Sequence, residues 1–195
     1  MRQVIYLLGF LLVLAVAVPD GTMAQNRELT KKELRKLKRQ KKKEAREKES
    51  QKLRAKYTEL LKNKHFVFEA QKVYLPAGPN ANIASNLNFI AIHNDHIIVQ
   101  FDFPGLNGPN GLGGVTARGK VDNWHFDPGK NAKQAMTVSG QVTPLGSGNR
   151  VVFTITVSND GTADAQINLN NSSFRLTGWI TSLEDANVVI GDAAF

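Results

Sequence analysis

The sequence predicts a mainly β protein, an antiparallel sandwich or barrel of about eight strands preceded by one long basic N-terminal helix. Two observations carry this. Residues 30–61 contain no Gly or Pro and consist almost entirely of good helix formers. From His65 onward the hydrophobic period changes to alternation, broken at short intervals by Gly, Pro, Asn and Asp. A βαβ fold needs helices between its strands, and no helical period recurs there.

Thr30-Lys31-Lys32-Glu33 is a capping box, with Leu29 and Leu34 at the spacing of a hydrophobic staple. Over about 32 residues the helix runs roughly 48 Å at 1.5 Å per residue. Its apolar residues are unevenly placed. Leu53, Tyr57, Leu60 and Leu61 share one face and can dock on a core, whereas residues 38–50 are polar all round and have nothing to bury. Heptads do not persist through that middle, which argues against a long coiled coil.

In the β region, residues 65–71 alternate, with Phe66, Phe68 and Ala70 on one face and Val67, Glu69 and Gln71 on the other. Turn formers follow at 75–80. Residues 86–92 and 96–103 read as a hairpin across His93-Asn94-Asp95, with Ile97, Val99, Phe101 and Phe103 inward and Gln100 and Asp102 outward. Residues 105–114 hold five glycines and Pro109, and read as a loop. They lack the Gly-Lys-Ser/Thr ending and following helix of a phosphate cradle. Residues 115–126 resume a strand, with Gly119 as a candidate bulge. Strands at 135–142, 150–157, 163–169 and 173–181 complete the set, with Asn159-Asp160-Gly161 as a tight turn. Residues 188–190 suit a short edge strand.

The chain has a formal net charge of +8, distributed unevenly. Residues 26–64 hold 17 Lys/Arg against 6 Glu, and residues 65–195 hold 7 Lys/Arg against 10 Asp/Glu. The basic charge therefore belongs to the helix. Residues 1–24 have the layout of a secretory signal: Arg2, an apolar run over 4–18, then Pro19 and Gly21 before Thr22-Met23-Ala24. About 15 apolar residues fall short of the roughly 20 that span a bilayer core, so cleavage after Ala24 is preferred to a membrane anchor. The chain contains no cysteine, which excludes disulfides, thiolate catalysis, thiolate metal sites and lipidation through an N-terminal cysteine. The expected organisation is a signal peptide at 1–24, an exposed basic helical arm at 25–52 and a β domain with the docking end of the helix at 53–195. The expected location is the periplasm or cell envelope, unlipidated, with no transmembrane span after cleavage.

Three roles compete for the arm: a solvated spacer, adhesion to anionic lipid or polysaccharide through residues such as Lys36, Lys38, Arg39, Lys41, Lys42 and Lys43, and nucleic-acid binding. Export and the lack of aromatic residues in the arm before Tyr57 argue against nucleic acid.

The order of signal, charged helix, Lys64-His65-Phe66-Val67-Phe68-Glu69-Ala70, the Pro76 turn and the segment 87–92 resembles the domain of unknown function family 4251 of Bacteroidetes envelope proteins. Gly113-Gly114-Val115, the strand through Phe153 to Val157, and Phe174-Arg175-Leu176-Thr177-Gly178-Trp179-Ile180 resemble the family's glycine pair and closing strand. The resemblance covers residues 53–181. It implies an exported β-rich protein and brings no catalytic residues and no cofactor. Phe101-Asp102-Phe103-Pro104-Gly105 stands where many members carry a Tyr- and Pro-rich segment.

Among chemical groups, His93 and His96 bracket a turn, and a zinc site would need a third ligand such as Asp102 or His125. The alternative is polar turn residues. Trp124 and Trp179 suit either a sugar or lipid site or half-buried core. No Gly-x-Ser-x-Gly elbow or ordered Ser, His and Asp set is present, so hydrolysis has no positive support in the sequence. Two classes remain: a non-enzymatic binding or scaffold module of the envelope, and a hydrolase whose pocket would gather His93, His96 and Asp102. Oligomeric state is not encoded in any of these features.

Overall fold

The computed structural model describes residues 30–75, 80–102, 111–112, 114–144, 150–169 and 172–191. The signal-like segment and most of the glycine-rich loop lie outside them, as does Phe103. The chain divides between Gln40 and Lys41 into two units. In the first, Thr30 caps the helix α1 (Lys31–Lys62). Glu33 Oε2 accepts from both the Thr30 amide and hydroxyl at 2.8 Å, and the Glu33 amide donates back to Thr30 Oγ1 at 3.4 Å. Those two donors hold the Glu33 carboxyl below its usual range, the backbone bond being the larger cause.

In the second unit the helical side chains are exposed as far as Glu49, and half-buried positions begin at Ser50 and Leu53. Leu61 is fully buried, and Tyr57 and Leu60 pack beside it against the β core. The helix ends where Lys64 takes a left-handed φ of 53° and turns the backbone into a strand.

Nine strands follow: β1 (His65–Tyr74), β2 (Ala81–Asn82), β3 (Phe89–His93), β4 (His96–Phe101), β5 (Val115–Asp127), β6 (Met136–Pro144), β7 (Val151–Val157), β8 (Thr162–Leu169) and β9 (Ser172–Thr181). All pairings are antiparallel, each long strand pairs with the next, and β9 returns to β1. The result is a closed eight-stranded up-and-down barrel, with the two-residue β2 added along the β3 edge of β1. The fold is thus a barrel, the second of the two architectures expected. Antiparallel pairing of each long strand with its successor gives this topology directly, and closure removes the exposed strand edges.

The register shows why the barrel is filled. Phe66 and Phe68 pair with Ile92 and Ile90, which pair with Ile97 and Val99; on the far side Val138 pairs with Ile155 and Ile155 with Ala165. These positions all point inward because side chains alternate with period two. An eight-stranded barrel is just wide enough for side chains to fill or for one small ligand. Phe66, Phe68, Phe153, Ile155 and Ile167 occupy this one, each at most 1% exposed.

At one end the helix closes the barrel. Arg54 donates to the Gln134 carbonyl at 2.7 Å, to Asn159 Oδ1 at 2.6 Å and to the Pro128 carbonyl, tying α1 to the β5–β6 and β7–β8 turns. Gly161 sits in the β7–β8 turn with φ 87°, and a Cβ there would stand 2.3 Å from the Tyr57 ring. The turn and the helix seat therefore require glycine together.

Three details differ from expectation. The irregularity in β5 lies between Asp122 and His125, where Asn123 has φ 51°, and Gly119 pairs regularly with Ile97. Residues 188–190 form no strand; the Val189 amide donates singly to the Asn86 carbonyl at 2.9 Å. Val67 points outward as expected yet is fully buried, because the C-terminal segment covers that face.

Residues 30–49 are exposed and Ser50 is only half-buried, so cooperative melting should persist in calorimetry when residues 27–50 are deleted. Leu61→Ala, by contrast, should cost about 2–5 kcal/mol by opening a cavity under the helix seat.

Candidate functional site

With the interior filled, the polar groups that converge do so on the outer face of β1, β3 and β4. Three cross-strand rows lie there. His65 pairs with His93, His93 with His96, and His96 with Lys120. One step along, Val67 pairs with Ala91 and Ala91 with Ile98, which faces Arg118. A further step gives Glu69, Phe89, Gln100 and Thr116. Outward positions of a one-sided sheet are normally polar, and the apolar second row marks a covered face.

Residues 182–191 provide the cover. The Gln100 amide nitrogen donates to the Leu87 and Val189 carbonyls at 3.1 and 2.7 Å, while its oxygen accepts from the Gly191 amide at 2.8 Å and Thr116 Oγ1 at 2.9 Å. Gln100 and Thr116 are fully buried, and this network satisfies them. At the other end of the segment, His65 Nε2 donates to Glu184 Oε1 at 2.7 Å. That bond, helped by the Glu184 amide and the Ser182 hydroxyl, holds the Glu184 carboxyl down at about 2. Asp95 is likewise lowered, chiefly by its 2.6 Å bond from Lys64 Nζ.

Between the strands and this segment runs a groove of about 460 Å³. Val67, Ala91 and Ile98 form its floor, and Leu183, Ala186 and Val188 its far wall. His93 and His96 stand at its rim with Asn94.

The expected site residues are dispersed. His93 and His96 do stand side by side, and the His93 ring meets His65 edge-on with centroids 5.0 Å apart. Asp102 follows the end of β4, six residues from His96, roughly 20 Å at about 3.3 Å per residue. Its backbone is instead engaged by Asn88, whose Nδ2 donates to the Asp102 carbonyl at 2.9 Å and whose Oδ1 accepts from its amide at 2.7 Å. His125 lies on β5 opposite Ser139, exposed. Among the described residues no group of three His, Asp or Glu side chains is arranged to hold a metal ion.

Trp124 is half-buried, 6.3 Å from both the Phe66 and Phe153 rings, with Lys64 Nζ 5.6 Å over its face. It packs against the core. Trp179 is half-buried on the outer face of β9, in register with Glu69 and Thr162. Lys36, Lys38, Arg39, Lys41, Lys42 and Lys43 are all exposed on α1. The sequence reading missed His65, Glu184 and the Gln100 network. The uninterrupted apolar runs Phe66-Val67-Phe68 and Ile97-Ile98-Val99 were the available signal that this face is covered on both sides.

Fold and surface together define a side-chain-filled, eight-stranded up-and-down barrel closed at one end by a helix, with its polar chemistry on the outside. The chain belongs to the family described as Domain of unknown function (DUF4251), whose model matches residues 48–180. A crystal structure of a DUF4251 family protein from Bacteroides eggerthii is similar to it, with 27% identity over 69% of this chain and 91% of that chain and a TM-score of 0.57. No curated protein matches this chain. Among the described residues no helix is long and apolar enough to cross a membrane.

The depressed Glu184 carboxyl contributes stability to the C-terminal cover at pH values above its ordinary 4.5, and that contribution is lost as pH falls toward about 2. A carboxyl NMR titration should place the Glu184 midpoint near 2, and His65→Ala should return it toward 4.5.

Proposed function

We propose that this is an exported, non-enzymatic binding or scaffold module of the cell envelope carrying a basic helical arm. The carrying observation is the filled barrel: with Phe66, Phe68 and Phe153 occupying the interior, recognition falls to the outer surface and to α1. Export rests on the signal-like residues 1–24, which lie outside the described residues, and the missing cysteine favours an unlipidated periplasmic or envelope protein. The hydrolase reading asked for His93, His96 and Asp102 in one pocket, and their separation along β4 gives it no support.

A second reading, adhesion of the arm to anionic lipid or polysaccharide, is favoured by the helix surface. Residues 31–49 present 11 Lys/Arg against 4 Glu, and every one of these side chains is exposed. Lys43 and Glu47 pair at 3.8 Å, a contact of little energetic consequence at the surface. Each cation near a charged membrane contributes up to about 1 kcal/mol.

Co-sedimentation with vesicles of phosphatidylglycerol and phosphatidylcholine separates the two. Adhesion predicts binding to the anionic vesicles that fades as salt rises from about 0.1 to 1 M, where the screening length shrinks from about 10 to 3 Å. Replacing Lys36, Lys38, Arg39, Lys41, Lys42 and Lys43 with Gln should abolish it. Absence of binding at low salt would leave α1 as a solvated spacer.

A further inference from the structure

The groove beneath the C-terminal segment combines three properties that point to one class of ligand. Its floor is the cross-strand row Val67, Ala91 and Ile98, apolar on a barrel's outer face. Its volume, about 460 Å³, lies within the range of small-molecule sites. The segment closing it has no helix or strand and is held at its two ends, by His65 to Glu184 and by the Gln100 amide to Val189 and Gly191. Val189 and Ile190 remain 47% exposed beside it, apolar surface that a bound chain would cover.

The rim adds a sign of charge. His93 and His96 border the groove, with Lys120 in register beside His96 and Arg118 beside Ile98, both exposed. The carboxylates flanking the histidine row already have cationic or N–H partners: Asp95 has Lys64, and Glu184 has His65. Asp185, further along the covering segment, lies 3.7 Å from Lys56. His93 and His96 thus border an apolar trough, with Arg118 and Lys120 on the neighbouring strand, and Asp95 is held chiefly by Lys64 and more weakly by His96 and Lys120.

We infer that this groove binds a single-chain amphipathic carboxylate of the fatty-acid type, the acyl chain lying on Val67, Ala91 and Ile98 and the carboxylate accepting from His93 and His96. Hydrocarbon on the floor supplies the affinity, and the imidazole N–H donors and neighbouring cations select a negative head over a neutral or positive one. The covering segment admits the chain by loosening between its two anchors. This deepens the reading of the protein as a binding module and is independent of the arm.

The experiment is calorimetric titration of the full chain with sodium dodecanoate below its micellar concentration, beside dodecyl maltoside and dodecyltrimethylammonium. One dodecanoate should bind per chain, with the other two heads at least about tenfold weaker, the scale of a lost charge-assisted hydrogen bond. The His93→Gln, His96→Gln double variant, changed at exposed positions, should lose about tenfold for dodecanoate and little for the maltoside. Ala91→Trp should abolish binding with its melting temperature checked alongside, and Ile98→Asn serves if that variant fails to fold. The variant of α1 with Lys36, Lys38, Arg39, Lys41, Lys42 and Lys43 replaced by Gln should bind dodecanoate unchanged, which separates this site from surface adhesion. No dodecanoate binding, equal affinity for all three heads, or undiminished binding in folded Ala91→Trp would each overturn the assignment. Hydrolysis of a dodecanoyl ester by the protein would overturn the non-enzymatic reading instead.

Discussion

Closure of the barrel through β1 and β9 is the constraint on which the rest depends. β1 is paired along both edges, to β3 and then β2 on one side and to β9 on the other. The β9 register runs from Val67 opposite Thr181 to Tyr74 opposite Arg175, with one irregularity between Ala70 and Lys72. At that point Gly178 comes so close that a Cβ would stand 1.9 Å from the Glu69 carbonyl oxygen. A side chain there would force the first and last strands apart. Because the two partners are more than a hundred residues apart, the whole meander must be in register before the final ladder forms, which is an entropic demand on folding.

Filling and function follow from closure. Once the sheet is closed at eight strands, Phe66, Phe68 and Phe153 fit across its interior, and α1 seals one end through Leu61 and the Arg54 clamp. That leaves the outside as the surface for recognition. Its most unusual part is the apolar row Val67, Ala91, Ile98 under the C-terminal segment, anchored by a fully buried glutamine and by a histidine–glutamate bond. The cover is thus a hydrogen-bonded strap over hydrocarbon rather than a further strand.

Much of this was legible in the sequence because local physics decides it. The capping box at Thr30, the docking face of Leu53, Tyr57, Leu60 and Leu61, the alternation in each strand and the Asn159-Asp160-Gly161 turn depend on neighbours in the chain. What was not legible depends on distant partners. His65 meets Glu184 across 119 positions, and Gln100 meets Val189 across 89. Glycine is the usual sign of a bulge and points to Gly119, whereas Asn123, a residue that tolerates positive φ, takes that role. The histidine row is visible only once β1, β3 and β4 are aligned, so spacing alone paired His93 and His96 with Asp102 at the far end of β4.

Native-state hydrogen exchange reads out whether β1 and β9 are joined. If the barrel is closed, amides of the β1–β9 ladder exchange only through the global unfolding that also exposes the β6–β7 ladder, and the two show equal free energies across a denaturant series. If β1 and β9 are instead the edges of an open sheet, their facing amides will exchange orders of magnitude faster than those of β6 and β7, and the account given for the filled interior will fail with it.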